Sequence, residues 1–228
     1  MDVNKIENVA VIGAGDMGHG IAETALLAGL KVKLVDATEE NLHKGIERID
    51  NSLELLYSKR KIDETTFRRA KENLSPMLNL EEAVKNAHFV IEAVPEILEL
   101  KQEIFKTLDH IAPQEAILAT NTSSMAISHI AKYVENKERV LGMHFFNPVV
   151  IIPLVEVIKG EDTSDDAMET AYNFCLRMNK TPVRVEKDSP SFIINRVNGP
   201  TRIYLGAVVD AEIAEPEEID ALFRYHGK

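Results

Sequence analysis

The sequence predicts an α/β protein built on a doubly wound, mostly parallel sheet, and two observations lead to this fold class. An apolar run at 9–12 is followed by a glycine-rich turn, a helical pattern and a second apolar run at 32–35. Two further apolar runs, at 87–94 and 116–119, each precede a segment with helical spacing. Strands and helices that alternate in this way are typical of parallel sheets covered on both faces.

The glycine-rich turn at 13–18, Gly-Ala-Gly-Asp-Met-Gly, matches the pattern of dinucleotide-binding turns. The first glycine permits a tight turn, the second lets the backbone approach a pyrophosphate, and the third lets the helix pack on the strand. The helix N-terminus adds unpaired N–H groups and the positive end of the helix dipole. Asp36 follows the second strand, where an acid accepts hydrogen bonds from the adenosine ribose and repels a 2′-phosphate. We therefore predict a Rossmann-type domain that binds NAD through Gly13, Ala14, Gly15, Asp16, Met17, Gly18 and Asp36; the alternative is a turn without a ligand.

Composition limits the partners. The 228 residues carry a formal net charge of −11, which argues against nonspecific binding to nucleic acid or to an anionic membrane. An acidic protein also repels NAD and acidic substrates, so local basic groups must hold them. No membrane span or signal sequence is apparent, and we predict a cytoplasmic protein with no metal site. The single cysteine, Cys175, is interpreted as an inert residue of a packed helix.

Two helices are predicted after Asp36, at about 39–60 with Thr38 as N-cap and at about 63–73. They form a helical hairpin inserted into the fold, and they carry a basic run at 59–61 and three more basic residues at 68–71. Such runs usually lie on a solvated helix face. The functional alternative is a clamp for phosphate groups.

Hydroxyl-bearing residues follow the strand predicted at 116–119. Ser123 and Ser124 come just before a helix at about 126–131. The carboxyl end of such a strand is where doubly wound sheets bind ligands, but we expect at least one of the two serines to serve only as a cap of that helix.

A possible catalytic pair follows. The segments 139–148 and 154–158 both have strand character, and a turn centred near Val150 would place His144 directly opposite Glu156. Cβ atoms in such a pair are roughly 5 Å apart, so a carboxylate can hold one imidazole nitrogen. The alternative is a histidine of the core. We favour a catalytic dyad.

The last part of the chain predicts a second domain. A helix at 164–178 and a strand at 181–186 precede the segment 187–190, which has the composition of a linker. We place an NAD-binding domain at 1–187 and the truncated start of an all-helical domain for substrate binding and dimerisation at 188–228. Pro200 is expected to kink its helix or remove a hydrogen bond, and Pro216 to begin another helix.

Several motifs together resemble the L-3-hydroxyacyl-CoA dehydrogenases, which include the 3-hydroxybutyryl-CoA dehydrogenases. The motifs follow the family's order over nearly the whole chain: GAGDMGHG at 13–20, IEAVPE at 91–96, NTSS at 121–124, HFFNP at 144–148, PLVEVI at 153–158 and DSPSFIINR at 188–196. The resemblance implies an NAD-dependent oxidoreductase of fatty acid metabolism. Such an enzyme moves a hydride between the C3 carbon of an L-3-hydroxyacyl-CoA and NAD.

The resemblance also implies roles for individual residues. His144 is the expected general base and Glu156 the residue that orients it. Ser123 is expected to contact both substrate and NAD, and Asn195 to hold the substrate from the second domain. The remaining matches are Glu96 and Lys101, at positions that contact NAD, and Ser52 and Lys59, at positions that contact coenzyme A.

Two departures from the family pattern leave alternatives open. Ser191 replaces the usual glycine, and the helical second domain is much shorter than in the family. We expect the apolar face of residues 192–213 to pack on a partner chain, as a homodimer. The alternatives are a dehydrogenase of the gulonate type for a free hydroxy acid, and a non-catalytic, crystallin-like protein that binds NAD.

Overall fold

A computed structural model of the protein describes residues 2–225 and confirms the predicted fold class. Its described strands form one sheet in the order β3-β2-β1-β4-β5-β6-β7-β8. Neighbouring strands are parallel except β6 and β7, which are antiparallel. The strands are β1 Asn8–Ile12, β2 Lys31–Val35, β3 Leu74–Met77, β4 Phe89–Glu92, β5 Ile117–Thr120, β6 Val140–Phe145, β7 Leu154–Lys159 and β8 Thr181–Val185.

Helices connect the strands and cover both faces of the sheet. Three of the predicted helix starts have side-chain caps, since Thr38, Asp63 and Ser164 each accept a hydrogen bond from the N–H three residues further on. No helix within residues 2–225 is long and apolar enough to cross a membrane. The helices are α1 Gly18–Leu27, α2 Glu39–Ser58, α3 Glu64–Glu72, α4 Leu80–Val84, α5 Leu98–Ile111, α6 Ile127–Ile130, α7 Asp165–Arg177, α8 Ile194–Asp210 and α9 Pro216–Tyr225.

The sheet separates two apolar cores. Helices α1, α2 and α7 bury their apolar faces in one core, where Phe174 of α7 stacks on Phe89 of β4 with ring centroids 4.4 Å apart. Helices α4, α5 and α6 fill the other. Cys175 is buried in the first core, and burial raises the pKa of its thiol to about 12, in agreement with the predicted inert role. Because both faces are covered, ligands reach the sheet at its edges.

The edge strand β3 was missed by the sequence analysis. It contains Pro76, which pairs with Leu34 of β2 in a parallel register. A proline inside an apolar run argues against a strand, because it has no N–H for the ladder. The exception is an edge strand, whose outer side has no neighbour, and β3 occupies that position.

The connection between β8 and α8 contains two consecutive residues in left-handed conformation. Ser191 has φ +67° and Phe192 has φ +46°. An L residue there costs roughly 1–2 kcal/mol relative to glycine, so Ser191 carries a conformational cost that a glycine would not. The bends turn Phe192 inward, where its side chain is buried. Phe192 therefore does not belong to the outward apolar face predicted for 192–213.

Helices α8 and α9 project from this framework. Neither contains a buried residue, and Ile203 and Tyr204 are 77% and 73% exposed. Pro200 lies within α8 without ending it, so the helix continues and loses the one hydrogen bond that a proline nitrogen cannot donate. The predicted apolar surface is thus present from α8 onward.

Candidate active site

The glycine turn follows the carboxyl end of β1 and shapes a cleft. Gly13 has φ +98°, and a Cβ there would lie 2.6 Å from the carbonyl oxygen of Ala93. A Cβ on Gly18 would lie 1.7 Å from the carbonyl oxygen of Gly13, so both residues must be glycine for the fold to close. A Cβ on Gly15 would meet no protein atom within 4 Å. The middle glycine therefore faces open space.

The cleft lies where the strand order reverses between β1 and β4 and has a volume of about 990 Å³. Segment 13–17 forms one wall, and Ala93, Val94 and α5 form the other. Among residues 2–225, no protein acceptor is assigned to the N–H groups of Gly15, Asp16 and Met17. Free N–H groups beside a helix N-terminus fit a pyrophosphate, so the chain's own atoms suit the predicted dinucleotide.

The two glycine positions give different predictions. We expect Gly15→Ala to leave the melting temperature nearly unchanged but to weaken NADH binding about tenfold or more, because the methyl group occupies the space of the pyrophosphate. Fluorescence titration with NADH and thermal unfolding measure the two effects. The matched control is Gly18→Ala, which is expected to destabilise the whole domain, since its methyl group overlaps backbone. Equal NADH affinity in Gly15→Ala and the parent would place the ligand elsewhere.

Asp36 faces this cleft from the end of β2. Its Oδ2 accepts a hydrogen bond from the N–H of Ala14 at 2.9 Å, and its Oδ1 accepts one from the side-chain amide of Asn41 at 3.2 Å. The carboxylate is thus fixed against the glycine turn with its charge at the cleft wall. This position suits an acceptor for ribose hydroxyls.

The cations at this cleft come from residues that the sequence analysis did not name. Lys44 and Arg48 of α2 line it, and Arg48 reaches across to Asp16 with an Nη1–Oδ1 distance of 2.6 Å. Helical spacing from the predicted N-cap Thr38 was a usable signal, because positions 41, 44 and 48 share one face of α2. Lys44 and Arg48 bring positive charge to the cleft of a protein whose net charge is −11, and each of them also pairs with an acid, Glu40 and Asp16 respectively.

His144 and Glu156 lie opposite each other on β6 and β7, as the sequence predicted. The register pairs the two residues, and His144 Nδ1 lies 2.7 Å from Glu156 Oε2. Both are buried, with exposed fractions of 6% and 1%. The carboxylate makes Nδ1 the donor, so Nε2 of the neutral imidazole is an acceptor.

The other oxygen of Glu156 binds the start of α8. Its Oε1 accepts the N–H groups of Ile193 and Ile194 at 3.0 and 2.9 Å. Burial opposes ionisation of Glu156, but the hydrogen bonds from His144, Ile194 and Ile193 outweigh it, so the pKa of this carboxyl lies below its ordinary 4.5. The carboxylate is therefore ionised at neutral pH and holds His144 and α8 together.

Two aromatic rings flank the imidazole of His144. The rings of Phe146 and Phe192 have centroids 4.4 and 5.9 Å from it. An apolar surrounding excludes water from the base and strengthens its interaction with Glu156.

Glu96 holds the segment that contains Ser123. Its Oε1 accepts hydrogen bonds from the hydroxyl of Thr122, from the N–H of Ser123 at 3.0 Å and from the hydroxyl of Ser124 at 3.1 Å. Burial raises the pKa of Glu96, but these bonds and the charge of Lys101 more than offset it and keep the pKa below 4.5. The side-chain amide of Asn195 donates to the Ser123 carbonyl at 3.2 Å. No hydrogen bond within residues 2–225 is assigned to the Ser123 hydroxyl, which leaves it available to a ligand.

The expected cap of α6 is wrong. Neither Ser123 nor Ser124 accepts from its first N–H groups; the carboxylate of Asp188 accepts from Ile127 and Ser128 at 2.7 and 2.6 Å instead. The predicted linker is thus fixed to the sheet edge by its own acid. The signal in the sequence was weak, because Asp188 and α6 lie about 60 residues apart.

Outside the glycine turn and Asp36, the candidate residues do not line the glycine cleft, and this holds for His144, Glu156, Ser123, Asn195 and Glu96 as well as for the three described next. Lys101 is 1% exposed, and its ammonium contacts Glu92 and Glu96 rather than open space. Ser52 donates to buried Glu23 with an oxygen–oxygen distance of 2.6 Å, and Lys59 lies exposed at the end of α2. Neither Ser52 nor Lys59 lines the cleft described above.

Comparison with known proteins gives a consistent result. A family model described as "3-hydroxyacyl-CoA dehydrogenase, NAD binding domain" matches residues 8–189, which confirms the predicted cofactor. The chain is 39% identical over 219 residues to the 3-hydroxyadipyl-CoA dehydrogenase of Escherichia coli K12 and covers 46% of that protein. It is 40% identical over 220 residues to a probable 3-hydroxybutyryl-CoA dehydrogenase of Bacillus subtilis and covers 76% of it. Both alignments include 96% of this chain.

Solved structures agree with these relatives. The crystal structure of (S)-3-hydroxybutyryl-CoA dehydrogenase from Ralstonia eutropha matches 97% of this chain and 78% of its own, with a TM-score of 0.91 and 35% identity. That of 3-hydroxybutyryl-CoA dehydrogenase from Escherichia coli K12 also has a TM-score of 0.91, with 39% identity. The match with the Escherichia coli structure includes 96% of this chain but only 46% of that protein. The chain therefore spans about half the length of one relative and about three quarters of the length of others.

Proposed function

Since the chain belongs to the 3-hydroxyacyl-CoA dehydrogenase family and carries its NAD-binding domain, we propose that it oxidises the C3 hydroxyl of an L-3-hydroxyacyl-CoA and catalyses the reverse reduction. The observation that carries this proposal is the buried contact of 2.7 Å between His144 and Glu156. His144 is near the end of β6, which runs parallel to β5, and β5 continues the parallel series from β1. His144 and the glycine turn therefore lie at the same end of the sheet, where the parallel strands have their carboxyl ends.

The proposed chemistry divides between cofactor and protein. NAD⁺, when bound, would accept from C3 the hydride with its electron pair, which is the redox chemistry the cofactor supplies. The unprotonated Nε2 of His144 takes the proton of the C3 hydroxyl, and ionised Glu156 stabilises the imidazolium that results. In this proposal the Ser123 hydroxyl, which has no assigned partner among residues 2–225, donates to the substrate oxygen. The side-chain amide of Asn195 supports Ser123 by donating to the carbonyl of that residue. In the reverse direction His144 returns the proton.

Several features support NAD binding at the cleft: the Asp36 carboxylate, the cations of α2 and the N–H groups of 15–17, which have no acceptor assigned among residues 2–225. Glu96 and Lys101 act near its nicotinamide end in this proposal, through the segment that contains Ser123. Ser52 and Lys59 are proposed to contact the coenzyme A part of the substrate. Exposure of the Lys59 ammonium supports contact with a phosphate group.

The decisive experiment is NADH oxidation with acetoacetyl-CoA as substrate and free acetoacetate as comparison. We expect turnover with the CoA ester alone, and a rate lower by about 100-fold or more in His144→Gln, because the variant has no general base. Turnover of the free acid at an equal rate would favour a dehydrogenase of the gulonate type. NADH binding without turnover of either compound would favour a non-catalytic protein. A His144→Gln rate within a few-fold of the parent would remove His144 from the mechanism.

We also propose the division into domains at 1–187 and 188–228, a cytoplasmic location and a homodimer. The family match that ends at residue 189 supports the boundary. The exposed apolar side chains of α8, such as Ile203 and Tyr204, support the dimer, since contiguous apolar surface is commonly covered by a second subunit. Light scattering at micromolar concentration is expected to give the mass of two chains. A stable monomer would contradict the dimer.

A further inference from the structure

Glu92 is a completely buried carboxylate at the end of β4 that the proposed mechanism does not use. Its Oε1 accepts the N–H of Val94 and the ammonium of Lys101, each at 2.7 Å. Its Oε2 accepts the hydroxyl of Thr120 at 2.7 Å. These partners offset the cost of burying the carboxylate. A buried ion pair nevertheless seldom stabilises a protein more than two apolar side chains of the same size, so we look for a role of the pair other than stability.

Lys101 joins Glu92 to a second carboxylate. Its ammonium lies 3.3 Å from Glu96 Oε2 and 3.3 Å from the carbonyl oxygen of Val94, in addition to the contact with Glu92. Two of these contacts are hydrogen bonds, to Glu92 and to the Val94 carbonyl, and the contact with Glu96 is an ion pair. The ammonium of the buried lysine therefore contacts only groups of the protein, and it holds one carboxylate oxygen of Glu96 in place.

Glu96 passes this constraint to the segment 122–124. One carboxylate oxygen faces Lys101, and the other receives the three hydrogen bonds from Thr122, Ser123 and Ser124. With both oxygens engaged on opposite sides, the carboxylate cannot rotate without losing partners. The orientation of Ser123 therefore depends, through Glu96, on the ion pair of Glu92 and Lys101.

We propose that Glu92 and Lys101 are positioning residues for the reaction: their buried ion pair sets the orientation of Glu96, and Glu96 holds Ser123 toward the substrate. The effect on turnover rests on the proposed function, whereas the effect on segment 122–125 is a property of the chain alone. Lys101, which the family resemblance placed in contact with NAD, acts here through Glu96.

The test compares three variants: Lys101→Met, Glu92→Gln and the double variant. Each single variant removes one charge of the pair and leaves the opposite charge buried without its partner, so we expect a lower melting temperature. The double variant replaces the pair with two neutral side chains and is expected to recover much of that loss. Because Glu96 still has no cation in the double variant, we expect amide hydrogen exchange of 122–125 to remain about tenfold faster than in the parent.

Steady-state kinetics give the second measurement. In all three variants we expect kcat/KM for acetoacetyl-CoA to fall about tenfold or more, since a displaced Ser123 no longer meets the substrate oxygen. The dissociation constant of NADH is expected to change by a smaller factor than kcat/KM, because the contacts at 13–17 and Asp36 are intact. A purely structural pair would instead give a double variant in which stability, exchange and kcat/KM recover together, and that result would overturn the proposal.

Asp109→Asn is the matched control. Asp109 forms the other buried ion pair of α5, with Arg139 at 2.9 Å, at the opposite end of the helix from Lys101. We expect this variant to lose stability without faster exchange at 122–125. Faster exchange there would assign the effect to general loosening of α5 and contradict the proposal. If the parent shows no turnover, the proposed function fails, and the exchange data still decide the positioning role.

Discussion

Glu156→Gln is expected to lower kcat by roughly 10³- to 10⁴-fold while the protein remains folded. The reason is the pair of N–H donors on the far side of the carboxylate, from Ile193 and Ile194. These donors require the amide oxygen of glutamine to face them, so its NH₂ group faces His144. An NH₂ group donates to Nδ1 and forces the imidazole proton onto Nε2, which is the wrong tautomer for a general base.

The measurement is the rate of NADH-dependent reduction and of the reverse oxidation, with circular dichroism to verify folding. Exposed Glu161 lies in the turn after β7, and Glu161→Gln removes the same charge without touching the dyad. We expect this control to match the parent. A Glu156→Gln rate within tenfold of the parent would mean that His144 needs no carboxylate, and the dyad would lose its proposed role.

Glu23→Gln is expected to stabilise the protein at alkaline pH and to remove part of its pH dependence. Glu23 lies on α1, is 1% exposed and accepts a hydrogen bond from Ser52 of α2. Burial raises the pKa of this carboxyl from 4.5 to about 7, and the bond from Ser52 offsets only part of the effect. Between these two values the unfolded chain has released the proton and the folded protein has kept it. The free energy of unfolding therefore falls as pH rises through this range.

The gap between 4.5 and about 7 corresponds to about 3 kcal/mol. We expect Glu23→Gln to match the parent near pH 4.5 and to exceed its free energy of unfolding by about that amount at pH 8. Glutamine keeps an acceptor for Ser52, so the contact between α1 and α2 is retained. Urea unfolding across this pH range measures the difference between variant and parent, in which all other titrating groups cancel.

The control is Glu47→Gln, which removes the same charge from an exposed position of α2. We expect it to change the free energy of unfolding by less than about 0.5 kcal/mol at every pH. A constant difference between Glu23→Gln and the parent would show that Glu23 does not hold its proton in the folded state.

The pairing of His144 with Glu156 shows how far sequence reasoning reaches. The two strands are close in sequence, and an antiparallel register with a centre near Val150 fixes which residues lie opposite each other. The glycine turn and Asp36 were accessible for the same reason, since a strand, a turn, a helix and a strand follow one another in a single unit. Local order and periodicity were sufficient there.

The failures have a common physical origin. The cap of α6 comes from Asp188, about 60 residues away. Strand β3 tolerates its proline because β3 is the outermost strand of the sheet. A hydroxyl group before a helix predicts a local cap, and no periodic pattern reveals that a distant acid takes its place. No strand was predicted at 74–77, and the rule that a proline argues against a strand does not hold at the edge of a sheet.

The sequence by itself determined the fold class, the position of the glycine turn and the opposition of base and acid, because these follow from periodicity and from neighbours along the chain. Only the tertiary structure decided what each carboxylate does with its second oxygen. Glu156 binds the start of α8, and Glu96 binds Lys101 on one side and the segment of Ser123 on the other. Such contacts join groups from separate elements at distances of about 3 Å, and packing of the whole chain is what brings them together.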